Sequence, residues 1–159
     1  MAKATIVYYE PVEVTVGPVR LLALRKTRVE EVGVGRVSED VSKLEERLAA
    51  VVERARKRGR NMVIEARLST GKREAYYAES TLEGVEALLY YRPARLTAVT
   101  VVREGEGGRL LPTRHAVDKE LYVYEGWVWV RDPTVRFVII ETVDGKRLLR
   151  RGEFHVEKR

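Results

Sequence analysis

The stretch Met62–Ala78, MVIEARLSTGKREAYYA, decides the fold. Met62–Leu68 and Arg73–Ala78 are rich in β-branched and aromatic residues, and Ser69-Thr70-Gly71-Lys72 between them is turn chemistry, so the segment reads as a β-hairpin. A helical pattern lies on each side of it. Upstream, Val41, Leu44, Leu48, Val51, Val52 and Ala55 recur at spacings of three and four, which fixes one apolar stripe. Ser38 supplies an N-cap oxygen to this helix, and Gly59 fits the C′ position. Downstream, Ser80 with Glu83 forms a capping box, and Leu82, Val85, Leu88, Leu89 and Tyr91 follow at helical spacing until Pro93 stops the run. Because a hairpin and not a single strand separates the two helices, the sheet is expected to be mostly antiparallel.

Working outward, Thr5–Tyr9, Val12–Val16 and Val19–Arg25 read as three strands, with Gly17-Pro18 as a break. The predicted order is β-β-β-α-β-β-α, an α+β fold with two helices on a mostly antiparallel sheet. After Pro93 the pattern turns all-β: Leu96–Val102, Leu121–Tyr124, Trp127–Val130, Val135–Thr142 and Lys146–Leu149 read as strands, with Asp144-Gly145 as a hairpin turn. Between them Glu104–Thr113, EGEGGRLLPT, reads as a long glycine-rich loop. No Ser/Gly/Pro-rich linker divides the chain, so residues 1–159 read as one compact domain with an α+β subregion 1–93 and an all-β subregion 94–159.

The chain has 159 residues, a net charge of +6 and no cysteine. A chain of this length buries roughly 70% of its unfolded surface, enough for a core without disulfides or structural metal. The absence of cysteine excludes thiol nucleophiles, Cys-ligated clusters and disulfide scaffolds. With neither a leader pattern nor an apolar run of spanning length, the expectation is a cytoplasmic protein without a membrane partner. The sequence holds no Gln and one Asn, Asn61, while charged residues make up 34%. Replacement of thermolabile amides by ion-pairing side chains is the archaeal-like composition expected of a hyperthermophile. The charge is spread as +2 over residues 1–37, +1 over 38–93 and +3 over 94–159, so no segment is distinctly basic.

Cations nevertheless gather locally. On a helical wheel Lys43, Arg47, Arg54 and Arg58 share a narrow sector away from the apolar stripe, and Arg56, Lys57 and Arg60 thicken its C-terminal end. Such a ridge can follow a phosphate backbone, each neutralised phosphate releasing counterions. The competing reading is a solvated face whose cations complement the helix C-terminus and whose Glu39–Lys43 and Glu53–Lys57 spacings form ion pairs. Lys146, Arg147, Arg150 and Arg151 are expected to assist from the last hairpin.

The second candidate is LYVYEGWVWV. If Glu125-Gly126 is a two-residue turn, Tyr124 faces Trp127, Tyr122 faces Trp129, and all four share one face. That patch is core, a homo-oligomer contact, or a platform on which bases stack.

Other motifs are weaker. Gly33-Val34-Gly35-Arg36-Val37-Ser38 with Glu65 superficially matches a dinucleotide fingerprint, but it lacks the buried parallel strand and the acid falls too far along. His115 and His155 have no second ligand at metal spacing, although Glu153, His155 and Glu157 alternate in a row. Asp132, Glu141 and Lys146 are the residue types of a metal-dependent nuclease. The sequence-level expectation is therefore a nucleic-acid-binding protein, DNA or RNA, acting through phosphate contacts, with no catalytic residues, metal or cofactor. The alternative is an adaptor working through a homo-oligomeric or partner interface, using the aromatic patch or the Glu104–Thr113 loop; the nuclease comes third.

Overall fold

The computed structural model describes residues 2–34, 37–70, 73–82, 93–123 and 128–157. The chain forms two compact units: Met1–Pro11 with Leu24–Arg92, and Val12–Ala23 with Pro93–Arg159. Two long strands, β1 (Ala2–Val16) and β2 (Val19–Val34), contribute residues to both.

The first unit adds helix α1 (Val37–Lys57) and strands β3 (Val63–Thr70) and β4 (Arg73–Ser80), in the strand order β2-β1-β3-β4. β1 runs antiparallel to β3 with Ile6 opposite Ala66, and β3 to β4 with Thr70 opposite Arg73. Alternation brings Ile6, Ile64 and Ala66 to one face, where they meet Leu48 and Val52 of the helix stripe. Leu48 is 0% and Val52 2% exposed. Burial of such side chains stabilises by about 1.5–3 kcal/mol each, and it fixes which flank of α1 faces water. The helix ends in a Schellman turn: Gly59 has φ +68°, its N–H donates to the Arg56 carbonyl at 3.1 Å, and the Arg60 N–H donates to the Ala55 carbonyl at 2.9 Å. This turn delivers Arg60, Asn61 and Met62 directly into β3.

The second unit contains β5 (Ala94–Glu104), β6 (Leu110–Ala116), β7 (Tyr122–Val123), β8 (Val128–Val130), β9 (Val135–Thr142), β10 (Gly145–Arg150) and β11 (His155–Val156). An antiparallel array runs β6-β5-β9-β10, while β8 pairs antiparallel with β2 and parallel with β11. Val99, Val101, Val138 and Leu149 point to one side of the array and join Val19, Leu21 and Val130 in the core.

The two-helix α+β expectation is corrected. About 65% of the residues are in strands and 15% are helical, and α1 is the single α-helix among the described residues. The three expected N-terminal strands are two, because β1 continues through Glu10-Pro11 and β2 continues to Val34. The division between the two units falls just after Pro11, within β1. The expected second helix falls largely on residues 83–92, outside the described residues; what is described is the Leu82 N–H donating to the Ser80 hydroxyl at 2.9 Å. The Ser38 cap also lies outside the described side chains. Half of the Glu104–Thr113 loop is strand: Glu104 ends β5, a short 3-10 turn at Glu106–Gly108 with Gly107 at φ +68° and Gly108 at φ +76° follows, and Leu110–Thr113 belong to β6. The last hairpin turns at Val143-Asp144, since Thr142 pairs with Gly145.

Candidate nucleic-acid interface

Lys43, Arg47, Arg54, Arg56, Lys57, Arg58 and Arg60 are all exposed, as the helix stripe requires. Their surroundings differ. The Arg47 guanidinium donates to Glu30 at 2.8 Å, and the same carboxylate accepts the Tyr8 hydroxyl at 3.1 Å and pairs with Arg28 at 2.6 Å. Burial, then this carboxylate, pushes the Tyr8 phenol above its ordinary range. Arg56 pairs with Glu53 at 3.0 Å, one turn back. Arg47 and Arg56 are thus already neutralised, and the ridge is not uniform.

Arg54, Arg58 and Arg60 behave differently. Among the described residues none of them makes an ion pair, and all three line one cleft of about 530 Å³. Arg54 reaches it from the last turn of α1, Arg58 and Arg60 from the Schellman turn that follows, and Arg28 from β2. The one carboxylate on the lining, Glu10, is occupied by Arg25. Val51, Ala55 and Met62 supply apolar surface beneath the arginines, and Asn61 and Thr27 supply polar groups. Arg28 is already paired with Glu30, which leaves Arg54, Arg58 and Arg60 as three guanidiniums without an ion pair among the described residues, and these make the cleft attractive to anions. Arg28, Thr27 and Asn61 were not among the sequence candidates; Asn61 had a signal, as the only amide side chain of the chain, whereas Arg28 had none.

In the second unit, β10 sets Lys146 opposite Glu141 and Arg150 opposite Phe137. Arg150 and Arg151 line a separate cleft of about 460 Å³ with Arg136 and Glu104, where Arg136 and Glu104 pair with each other and Arg151 donates to the Pro133 carbonyl. Arg147 is exposed on the same strand.

Of the two expected aromatic pairs, the described residues bear on one, Tyr122–Trp129, and it does not form. Tyr124, Trp127 and the Glu125-Gly126 turn lie outside the described residues. Tyr122 pairs with Arg95, and its hydroxyl donates to Glu120 at 2.7 Å. Trp129 has its two backbone edges taken by Arg20 and His155, which leaves no edge for Tyr122. Its half-buried ring meets both side chains, with the Arg20 guanidinium 4.7 Å from the ring centre and the His155 ring at 6.3 Å. Arg20 is held there by Glu157 at 3.0 Å and Glu13 at 3.2 Å. Arg20 and, with a smaller part from Arg131, the local positive field keep the Glu157 carboxyl below its ordinary range.

The Asp132–Glu141–Lys146 set does not converge. Asp132 lies before β9 and Glu141 near its far end, about 20 Å along the strand at ~3.3 Å per residue. Asp132 is bound by Arg103 and Thr134, and Glu141 by Arg114. Glu157, from the expected ligand row, is bound by Arg20 and Arg131. Among the described residues no group of three His, Asp or Glu could hold a metal ion, and no helix is long and apolar enough to cross a membrane. The chain matches no family model, no curated protein and no solved structure.

Proposed function

We propose that this protein binds nucleic acid through the phosphate backbone, with Arg54, Arg58 and Arg60 as the principal contacts and no chemistry performed on the strand. The observation that carries this reading is the contrast among neighbouring cations: Arg25, Arg28, Arg47 and Arg56 are tied to carboxylates, whereas these three rim one cleft without a pairing acid among the described residues. Arginine suits the role because its planar fork meets phosphate oxygens in pairs. The test is fluorescence anisotropy of a labelled oligonucleotide across a salt series. Binding weakens linearly in log–log form, with a slope of roughly 0.7 to 0.9 per phosphate neutralised. The double substitution Arg54→Glu and Arg58→Glu lowers both the affinity and the slope. A chain that shows no affinity at low salt, or whose slope is unmoved by that reversal, does not work this way.

A second reading has its own observation. Leu110 and Leu148 are 51% and 44% exposed, and the registers place them on one face of the β6-β5-β9-β10 array with half-buried Phe137 and Ile139. That face carries Arg114, Lys146 and Arg150 against Glu104 and Glu141, so a second copy related by a two-fold axis could set opposite charges against each other. Light scattering decides it: a dimer mass that Leu148→Glu returns to monomer supports self-association, and a monomer at high concentration removes it.

A further inference from the structure

A track for phosphates needs cations and nothing else, yet the arginine cleft has an apolar floor. Val51, Ala55 and Met62 form that floor, and its volume of about 530 Å³ sits inside the range of small-ligand sites, about 300–1,000 Å³. Duplex nucleic acid has no apolar surface to offer such a floor, because its bases are stacked inside and only sugar and phosphate face a protein reading its backbone. An unpaired strand does, because its bases can be splayed out against apolar and guanidinium surfaces.

The second observation is Asn61. The chain has replaced amides throughout: it contains no Gln, and its only Asn lines this cleft. Asn61 is exposed, and among the described residues its side chain makes no hydrogen bond, so it is not serving as a cap or a turn anchor. A carboxamide is the side chain that offers one donor and one acceptor side by side in a plane, the arrangement that matches the edge of a base. Arginines, threonine and a fully paired glutamate cannot supply that combination. Arg54 approaches from the helix, Arg58 and Arg60 from the turn after it, and Asn61 follows Arg60 directly, so phosphate contacts and a base contact share one lining.

From this juxtaposition we infer that the cleft takes one unpaired nucleotide of a single strand, the arginines holding its phosphates, the apolar floor receiving its base and Asn61 meeting the base edge. The inference rests on the phosphate reading above and goes further than it, by naming single-stranded nucleic acid over duplex. Occupancy requires an unstacked base, and extruding one from a duplex breaks its pairing and stacking, which is the physical source of the discrimination.

The test compares labelled 12-mer DNA and RNA strands with the same sequences as duplexes, at one fixed low salt concentration, for the native protein, Met62→Ser and Asn61→Ala. Met62 is a half-buried residue of the cleft lining, so serine there takes apolar surface away without removing a cation. Thermal unfolding establishes that each variant is folded. The native protein binds single strands at least tenfold more tightly than duplexes. Met62→Ser brings that ratio near one, and Asn61→Ala flattens the ranking among dA, dC and dT homopolymers. Equal or tighter duplex binding overturns the inference while leaving the phosphate reading in place, as does a ratio that survives Met62→Ser. If neither form binds, the phosphate reading itself falls.

Discussion

The Tyr9 hydroxyl donates to Glu65 Oε1 at 2.6 Å, inside the first unit and shielded from water. Glu65 is 0% exposed and the one buried charged residue among those described. Its second oxygen accepts the Tyr76 hydroxyl at 2.7 Å, and Arg67 reaches the first at 3.3 Å. Glu65→Ala would leave two phenols facing a void, and breaking a buried polar set in this way costs about 3–5 kcal/mol. Glu65→Gln keeps the acceptor oxygen and costs less, about 1–2 kcal/mol. Urea unfolding of the two variants gives the comparison; equal losses would mean that the carboxylate is not what organises Tyr9 and Tyr76.

That cluster also shows where sequence reading stops. The hairpin around Glu65 was legible because β-branched residues alternate on either side of a turn, and α1 was legible because its stripe has a helical period and Gly59 closes it. Both signals are local. Partners far apart in sequence leave no such mark: the binding of Glu65 by Tyr9 depends on the β1–β3 register, and the neutralisation of Arg47 by Glu30 on how α1 lies against β2. The membership of Val12–Ala23 in the second unit is set by contacts with strands a hundred residues later, so a division at residue 93 was all that order along the chain could suggest. Arg54, Arg58 and Arg60 were visible as a cationic run, but their freedom from carboxylates belongs to the fold. Arg28 joins them across the sheet and had no local pattern to announce it.

Gly17, in the turn between β1 and β2, has φ +57°, and a Cβ built on it would fall 2.6 Å from Nε2 of His115. Two penalties therefore act on Gly17→Ala. The left-handed conformation costs about 1 kcal/mol for a residue with a side chain, and displacement of the imidazole adds about 1–2 kcal/mol. The Nε2 atom is buried without a hydrogen-bond partner among the described residues, so moving the ring sacrifices packing and not a polar contact. In a double-mutant cycle His115→Ala relieves the second penalty but not the first. Thermal midpoints of the four proteins measure this coupling, and strictly additive losses would contradict the close approach.

Trp129 bears on the stacking reading of the aromatic patch. The Arg20 guanidinium lies over its ring at 4.7 Å, and the His155 ring stacks at 6.3 Å between centres. A base would have to displace Arg20 to stack on the face it covers, and Arg20 is held by Glu157 and Glu13. With Trp127 replaced by Phe, the remaining tryptophan emission is expected to stay unchanged when saturating oligonucleotide is added. Adding Arg20→Ala uncovers one face, and quenching by oligonucleotide then appears. Strong quenching in the presence of Arg20 would show that the ring is reached by bases after all.

Acid should act on the second unit through Asp132. Its carboxyl is held down to about 2, first by the Thr134 hydroxyl, then by Arg103 and the Thr134 N–H. The distances are 2.6 Å, 2.7 Å and 2.9 Å respectively, and together they pin the turn that starts β9 against β5. Since the folded value lies below the unfolded one, the stabilisation is complete above pH ~4 and disappears as pH falls toward ~2. The side chain is 27% exposed, so solvent screening reduces the contribution to about 1–2 kcal/mol. Asp132→Asn removes the charge but preserves the shape, and it is expected to lower stability by that amount at pH 7. The gap between native and variant should then close between pH 4 and pH 2, because protonating the native carboxyl makes the two proteins alike. Chemical denaturation at pH 7, 4, 3 and 2 follows the gap directly, and a difference that persisted unchanged at pH 2 would assign the loss to geometry and not to the carboxylate charge.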